Sequence, residues 1–479
     1  MSDNLSPAQA LPADILHLIL KLVVLEIKSP SHGDNCQLTN LKEFLTVSST
    51  WRQAALEFLW RKLQLVIKDF PNEVTLNRPR WVKDNRLPYY AACLVREIRI
   101  SVFMSEVVSG NAHKHLLDYI GATVSFPLVN KLAVEIPDYK DQHYDAEVIA
   151  FVNARRFAKL LKAMAPAATT IELVCHHENL QSINNNDDLG GELDEEILVV
   201  FANVLRANTK SAHLDLVGTS LKNPSTIDLT PLLSSLNLNC ENSPDVHASL
   251  MWKSASTLQQ LVISIQDANM LTYDVHGKAV VYPNLQILQM FTLVRNYSNP
   301  KSISSNATPF PILKGVTLLP FYPFHDDIIF RGNSATLEYL DLCMNKYAVA
   351  MFNRCKTFEN RHKILRHVHI GVDEASENIY LAPNDVRKFL NNLVGAAKQL
   401  TMADCEAAKV SLTAMQQGKG FQNITVLTAD PSGMSLYKML CVLQLLPALV
   451  NLRSGINGLG SELENVNTED LPDYVASTY

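Results

Sequence analysis

The run Leu337-Glu338-Tyr339-Leu340-Asp341-Leu342 places leucines at a first position, at +3 and at +5. The last two lie two residues apart, as on a strand that turns alternate side chains into a core, and Tyr339 and Asp341 then face the other way. The spacing returns downstream at Leu365/Val368/Ile370, Ala397/Leu400/Met402, Phe421/Ile424/Val426 and, in part, Leu449/Leu452. Upstream it is present at Leu258/Leu261/Ile263, Leu285/Leu288/Met290 and Leu313/Val316/Leu318. From Leu258 onward the first positions are separated by 27, 28, 24, 28, 32, 24 and 28 residues. Earlier copies at Val95/Ile98/Ile100, Val129/Leu132/Val134, Ala168/Ile171/Leu173 and Ser211/Leu214/Leu216 are 34, 39 and 43 residues apart, with 47 more to Leu258. Their extra length holds helical stretches such as 145–164, on which Val148, Phe151, Val152, Leu160 and Leu161 are expected to share one face.

A strand-plus-return unit cannot bury its apolar face alone, so the period predicts stacking of neighbours. Periods near 28 residues are close to the roughly 20 to 29 of a leucine-rich repeat. The expected fold class is therefore α/β, a leucine-rich-repeat solenoid (horseshoe) over residues 95–457. Return helices are expected at 384–397 and near 435–446. Positions +2 and +4 of each copy would line the concave face: His213 and Asp215, Gln260 and Val262, Gln289 and Phe291, Tyr339 and Asp341, His367 and His369, Gln399 and Thr401. A rigid row of aromatic, imidazole and amide side chains suits a protein substrate, with His213, Gln260, Gln289, Tyr339, Asp341, His367 and His369 as the binding candidates.

Residues 11–68 read differently, as a small all-α three-helix block. Pro12 suits a first helical position, and Ile15, Leu16, Ile19, Leu22 and Val23 recur at helical spacing. Leu18 and Leu20 lie off that stripe, so this helix seeks more than one packing partner. Asn40 with Glu43, and Thr50 with Gln53, have the spacing of capping pairs at the starts of a second and third helix. Leu63, Leu65 and Ile67 then alternate like a strand. Around these blocks, residues 1–10 are expected to be a disordered tail, 69–94 a connector, and 458–479 a polar acidic tail.

Within 11–63 the elements Leu11-Pro12-Ala13-Asp14-Ile15-Leu16, Ile19, Leu22-Val23, Leu45-Thr46-Val47-Ser48, Trp51-Arg52 and Leu59-Trp60 resemble, in order, an F-box, the adaptor-binding module of ubiquitin-ligase receptors. The likeness covers about a tenth of the chain, and the polar insertion from Lys28 to Thr39 departs from the family's usually shorter loop. Together with the repeats, the layout resembles F-box proteins of the leucine-rich-repeat class. That resemblance implies a non-catalytic substrate receptor of an SCF-type ubiquitin ligase, with a Skp-type adaptor and a cullin scaffold as partners. It implies adaptor contacts from Leu11, Pro12, Ile15, Leu16, Ile19, Leu22, Leu45, Val47, Trp51 and Trp60. The competing reading is a repeat scaffold or protein-binding module with no ligase connection, whose N-terminal helices only cap the stack.

Composition narrows the function classes. With 47% hydrophobic and 19% charged residues the chain can bury a large core. Its 42 basic against 48 acidic residues leave a formal charge of −6, which argues against nucleic acid and anionic membranes as partners. The apolar stretch from Leu11 to Leu25 is broken by Asp14, His17 and Lys21, so neither a signal peptide nor a membrane span is expected, and the expected location is cytoplasmic and/or nuclear. Eight cysteines without a C-x-x-C pair fit reduced thiols. No P-loop, dinucleotide glycine motif, H-E-x-x-H or G-x-S-x-G is present, so no enzyme activity and no cofactor are expected. Cys175-His176-His177 and His367/His369 lack the further ligands that zinc needs, and no metal site is expected. The acidic residues from Asp187 to Glu196 suit the start of a following helix.

Overall fold

The structure is a computed structural model. It describes residues 11–12, 15–16, 18–20, 44–67, 74–76, 89–120, 125–136, 147–176, 190–217, 227, 229–239, 244–265, 269–274, 276–292, 309–319, 336–344, 365–372, 385, 388, 397–402, 423–429, 444 and 446–454. The chain divides into two compact units, Met1–Leu258 and Gln259–Tyr479.

The first unit is a parallel sheet with helical connections. Helix α1 (Ser49–Trp60) leads directly into β1 (Lys62–Ile67), which pairs antiparallel with β2 (Val74–Leu76) and parallel with β3 (Glu97–Val102). Beyond β3 the order follows the sequence through β4 (Lys131–Ile136), β5 (Thr170–His176), β6 (Ser211–Val217) and β7 (Leu233–Asn239). Two short helices, α2 (Met104–Ser109) and α3 (Asn111–Ile120), follow β3. Helix α4 (Glu147–Met164) follows β4, α5 (Gly190–Leu205) follows β5, and α6 (Pro244–Ser254) follows β7.

Among its described residues the second unit carries eight parallel strands in sequence order: β8 (Gln260–Ile265), β9 (Ile287–Thr292), β10 (Gly315–Leu319), β11 (Tyr339–Met344), β12 (His367–Val372), β13 (Gln399–Met402), β14 (Val426–Ala429) and β15 (Asn451–Ser454). A four-residue helix, α7 (Asn269–Thr272), follows β8.

One backbone device sets the register in both units. The two amides that open a strand converge on the carbonyl just before the preceding strand. Glu338 and Tyr339 donate to Lys314 O, Arg366 and His367 to Glu338 O, and Lys398 and Gln399 to Arg366 O, all within 3.1 Å. In the first unit Arg96 and Glu97 donate to Arg61 O in the same way. Buried apolar residues then fall where the alternation predicts. Leu337, Leu340 and Leu342 are at most 1% exposed, and Val368, Ile370, Leu400 and Met402 are likewise buried.

Several expectations are corrected. Residues 11–68 are not a separate all-α three-helix module. Among the described residues of this block only α1 is a full helix, and its end belongs to the sheet: Trp60 is buried, Arg61 O takes the two amides opening β3, and β1 pairs with β3 over six residues. The reason is the alternation of Leu63, Leu65 and Ile67, which a strand turns to one buried face while its backbone pairs with β3. The leucine-rich-repeat horseshoe is corrected as well. The architecture is an α/β fold with parallel strands and few helices, and its described connections are unlike one another. They range from paired short helices to an 18-residue helix and a 3-10 turn at Thr230–Leu232, so among the described residues no single strand-plus-return unit recurs. The return helices expected at 384–397 and 435–446, and both expected tails, lie outside the described residues save for Asp385, Lys388, Ala397, Gln444 and Leu446.

Two registers shift. The sixth-strand copy begins at Thr209, because Lys210 and Ser211 donate to Thr169 O and Ala212 is buried opposite Ile171. The β14 copy begins at Ile424, with Leu427 buried and Val426 half-exposed on the outward face. Strand β7, with Leu233, Leu236 and Leu238 buried, occupies the long gap that the sequence reading left open.

Helix α4 presents a different face from the expected one. Ala150, Ala154, Phe157, Ala158 and Leu161 are buried, and Phe157 meets Phe201 of α5 edge-on at 6.0 Å. Small residues win because close helix approach leaves no room for larger ones. Gly110, in the left-handed region at φ 82, lies against this helix: a Cβ there would come within 3.1 Å of the Asn153 side chain, which donates to Val108 O at 2.7 Å. Val148 and Val152 are left 76% and 45% exposed.

Candidate functional site

Parallel pairing lines up the outward side chains of the second unit in rows. One row runs Ile287, Gly315, Tyr339, His367, Gln399, Val426, and the next runs Gln289, Thr317, Asp341, His369, Thr401, Thr428. With neighbouring strands about 4.8 Å apart, Tyr339, Asp341, His367 and His369 form one contiguous patch. The Tyr339 and His367 rings meet edge-on, 5.1 Å between centroids at 79°. His369 Nδ1 lies 3.0 Å from Asp341 Oδ1, and His367 Nε2 lies 3.0 Å from Thr401 Oγ1. Both imidazoles are thus held by side chains of the patch itself.

Gly315 shapes the edge of this patch. A Cβ at this position would lie 3.6 Å from Tyr339 Cδ1 and 3.9 Å from Ile287 Cγ1. Gly315 is itself buried, so the Tyr339 ring and Ile287, which is 41% exposed, close over its backbone. Burial and the Asp341 carboxylate push the Tyr339 hydroxyl up to about 12, so it remains a donor throughout the physiological range.

Burial, then the neighbouring His369, holds His367 below its ordinary value, and Asp341 opposes this only in part. The unfolded chain therefore binds the proton more readily, and the stability contributed by neutral His367 is present above about pH 6.5 and lost as pH falls through the lower folded value. Denaturant melts at pH 7.5 and 5.5 are expected to show a larger loss of stability on acidification for the wild type than for His367→Gln. Equal pH dependence in the two proteins would contradict the assignment.

Gln260 and Gln289 lie on the same two rows of the second unit, both half-buried, while Val262 is buried and offers little to a partner. His213 belongs to the first unit and not to the patch. There it stands in register with Glu172 in an ion-pair ladder that the sequence reading missed. Lys62 reaches Glu97 at 3.2 Å, Lys131 bridges Glu97 at 3.8 Å and Glu172, and Arg99 reaches Glu172 at 2.9 Å. Burial raises Glu172, but the hydrogen bond and charge of Lys131, with Arg99, outweigh it and leave the carboxyl below its usual range. Burial, then Lys131, lowers His213. The signal was present in the sequence as charged residues at outward positions, Glu97 and Arg99 on β3, Lys131 and Glu135 on β4 and Glu172 on β5.

The residues implied as adaptor contacts divide by exposure. Leu16, Trp51 and Trp60 are buried: Leu16, Leu20, Trp51, Ala54 and Ala55 form a core cluster, against which Leu11, Ile19 and Leu45 pack. Trp51 stacks on Phe44 at 5.3 Å. The apolar size of Leu16, Trp51 and Trp60 serves the chain's own packing. Ile15, Leu18 and Val47 are 40%, 53% and 38% exposed, and Pro12 is exposed too. Leu22 lies outside the described residues. Helix α1 is capped by Ser48, whose Oγ accepts from Trp51 N at 3.3 Å, and not by the expected Thr50. Asn40 and Glu43 lie outside the described residues.

Among the described residues no group of three or more His, Cys, Asp or Glu is placed to hold a metal ion, and no helix is long and apolar enough to cross a membrane. Cys175 is buried, and the side chains of His176 and His177 lie outside the described set. No known family model matches the chain, and no curated protein does either.

Proposed function

We propose that the chain is a non-catalytic protein-binding receptor, which holds a protein partner on the outward strand face of its second unit around Tyr339, Asp341, His367 and His369. The observation that carries this reading is the placement of an aromatic ring, a carboxylate and two imidazoles in contact with one another on adjacent strands. A pre-ordered strand face binds without the entropy cost of fixing loops. Any chemistry on the partner is left to other proteins, and this chain supplies proximity.

The resemblance of residues 11–63 to an F-box gives the receptor a second partner, the Skp-type adaptor of a cullin ubiquitin ligase. The exposed Ile15, Leu18 and Val47 support a docking surface there. The alternative is a protein-binding module with no ligase connection, in which that apolar surface has some other use.

Proximity labelling with the full chain identifies candidate partners, and a purified candidate is then titrated against wild type and Tyr339→Ala/His367→Ala. A loss of at least about tenfold is expected, as for a central aromatic contact. Undiminished binding by the double variant would move the partner off this face.

A further inference from the structure

On helix α4, Val148, Val152, Arg155, Lys159 and Lys162 are separated by four, three, four and three residues. That alternation keeps one seam facing a partner helix. The seam changes character along its length. Val148 and Val152 are 76% and 45% exposed, and Ile149 beside them is 60% exposed. Then three cations follow, spanning about 10 Å at 1.5 Å per residue. Arg155, Lys159 and Lys162 line an open groove of about 510 Å³, completed by Val200, Asn203 and Val204 of α5. Among the described residues no carboxylate pairs with any of these cations, although the chain as a whole is acidic, with a formal charge of −6.

We infer that the α4/α5 groove docks an amphipathic acidic helix of a partner protein, with apolar side chains against Val148 and Val152 and carboxylates against Arg155, Lys159 and Lys162. Charge complementarity and seam spacing select this occupant. A nucleic acid would leave the valines without contacts and finds no aromatic side chain lining the groove for base stacking. The surface lies within the first unit and is independent of the strand patch at Tyr339.

The test uses the full chain and a fluorescein-labelled designed helix of about four heptads, with leucine at the seam positions of one half and glutamate at those of the other. Anisotropy titration is expected to show saturable binding that weakens as salt is raised. Lys159→Glu/Lys162→Glu should weaken it at least tenfold, and so should Val148→Asp/Val152→Asp. All four positions are at or near the surface, and circular dichroism checks that both variants stay folded. A control peptide with serine for leucine at the seam should bind at least tenfold less tightly. The inference is overturned if the peptide does not bind, if either double variant binds it equally, or if the serine control binds as well as the original. It is overturned too if a poly(U) 20-mer or phosphatidylserine vesicles displace the peptide stoichiometrically, which would mark a general polyanion surface.

Discussion

Leu340→Ala is expected to destabilise the second unit by about 2 to 5 kcal/mol, whereas Tyr339→Ala, one residue away, should cost about 1 kcal/mol. Leu340 is fully buried on β11, and its register partners Val316 on β10 and Val368 on β12 are buried with it, so truncation opens a cavity bounded by strands that cannot collapse independently. Tyr339 points outward and is half-buried, so its removal costs mainly the ring contact with His367. Denaturant melts of the two variants measure the contrast. Equal losses, or the reverse order, would place the wrong side chains in the core.

Alternation was the most legible property of this sequence, and the strand face follows from it: Tyr339, Asp341, His367 and His369 emerge on one side because Leu340, Leu342, Val368 and Ile370 are drawn to the other. Registers were less legible wherever two apolar frames compete. Ile424 satisfies both Phe421/Ile424/Val426 and a frame beginning at 424, and only the amides of Thr425 and Val426 reaching Lys398 O choose between them. A three-residue shift reverses the facing of each side chain, which is how Val426 comes to the outward face. A two-residue shift, as at Ser211, preserves it, so His213 and Asp215 still face outward. On α4 the large apolar residues misled, because close packing selects alanines for the buried face and leaves valines outside. Trp51 and Trp60 could be read either as contact anchors or as core from their helical spacing, and in the structure both are buried. Cross-strand charge pairing was missed because the partners, Glu97 with Lys131 and Arg99 with Glu172, are far apart in sequence and meet only through the parallel register.

Ile15→Asp with Leu18→Asp is expected to abolish binding to a Skp-type adaptor, at least about a hundredfold, while leaving the melting transition unchanged. Both residues are exposed, at 40% and 53%, so carboxylates there remain solvated in the free protein. In a complex the same carboxylates would be buried without partners, at a cost of several kcal/mol. Trp51→Ala provides the contrast: it removes a ring that is 7% exposed and stacked on Phe44, and should cost about 3 to 5 kcal/mol of local stability. Calorimetric titration of the purified adaptor into each variant separates a surface effect from a folding effect. Adaptor binding that survives the double aspartate variant would move the contact off this surface, and a wild type that does not bind the adaptor would leave the receptor without its ligase connection.

Reconstituted ubiquitin transfer tests the receptor account most directly, because it requires both surfaces at once. The reaction contains the adaptor, cullin scaffold, charged conjugating enzyme and a partner identified by proximity labelling, with and without the full chain. The account predicts ubiquitin on the partner only when the chain is present, lost with Ile15→Asp/Leu18→Asp and lost separately with Tyr339→Ala/His367→Ala. Transfer that proceeds equally without the chain, or that is undiminished by both double variants, would contradict it.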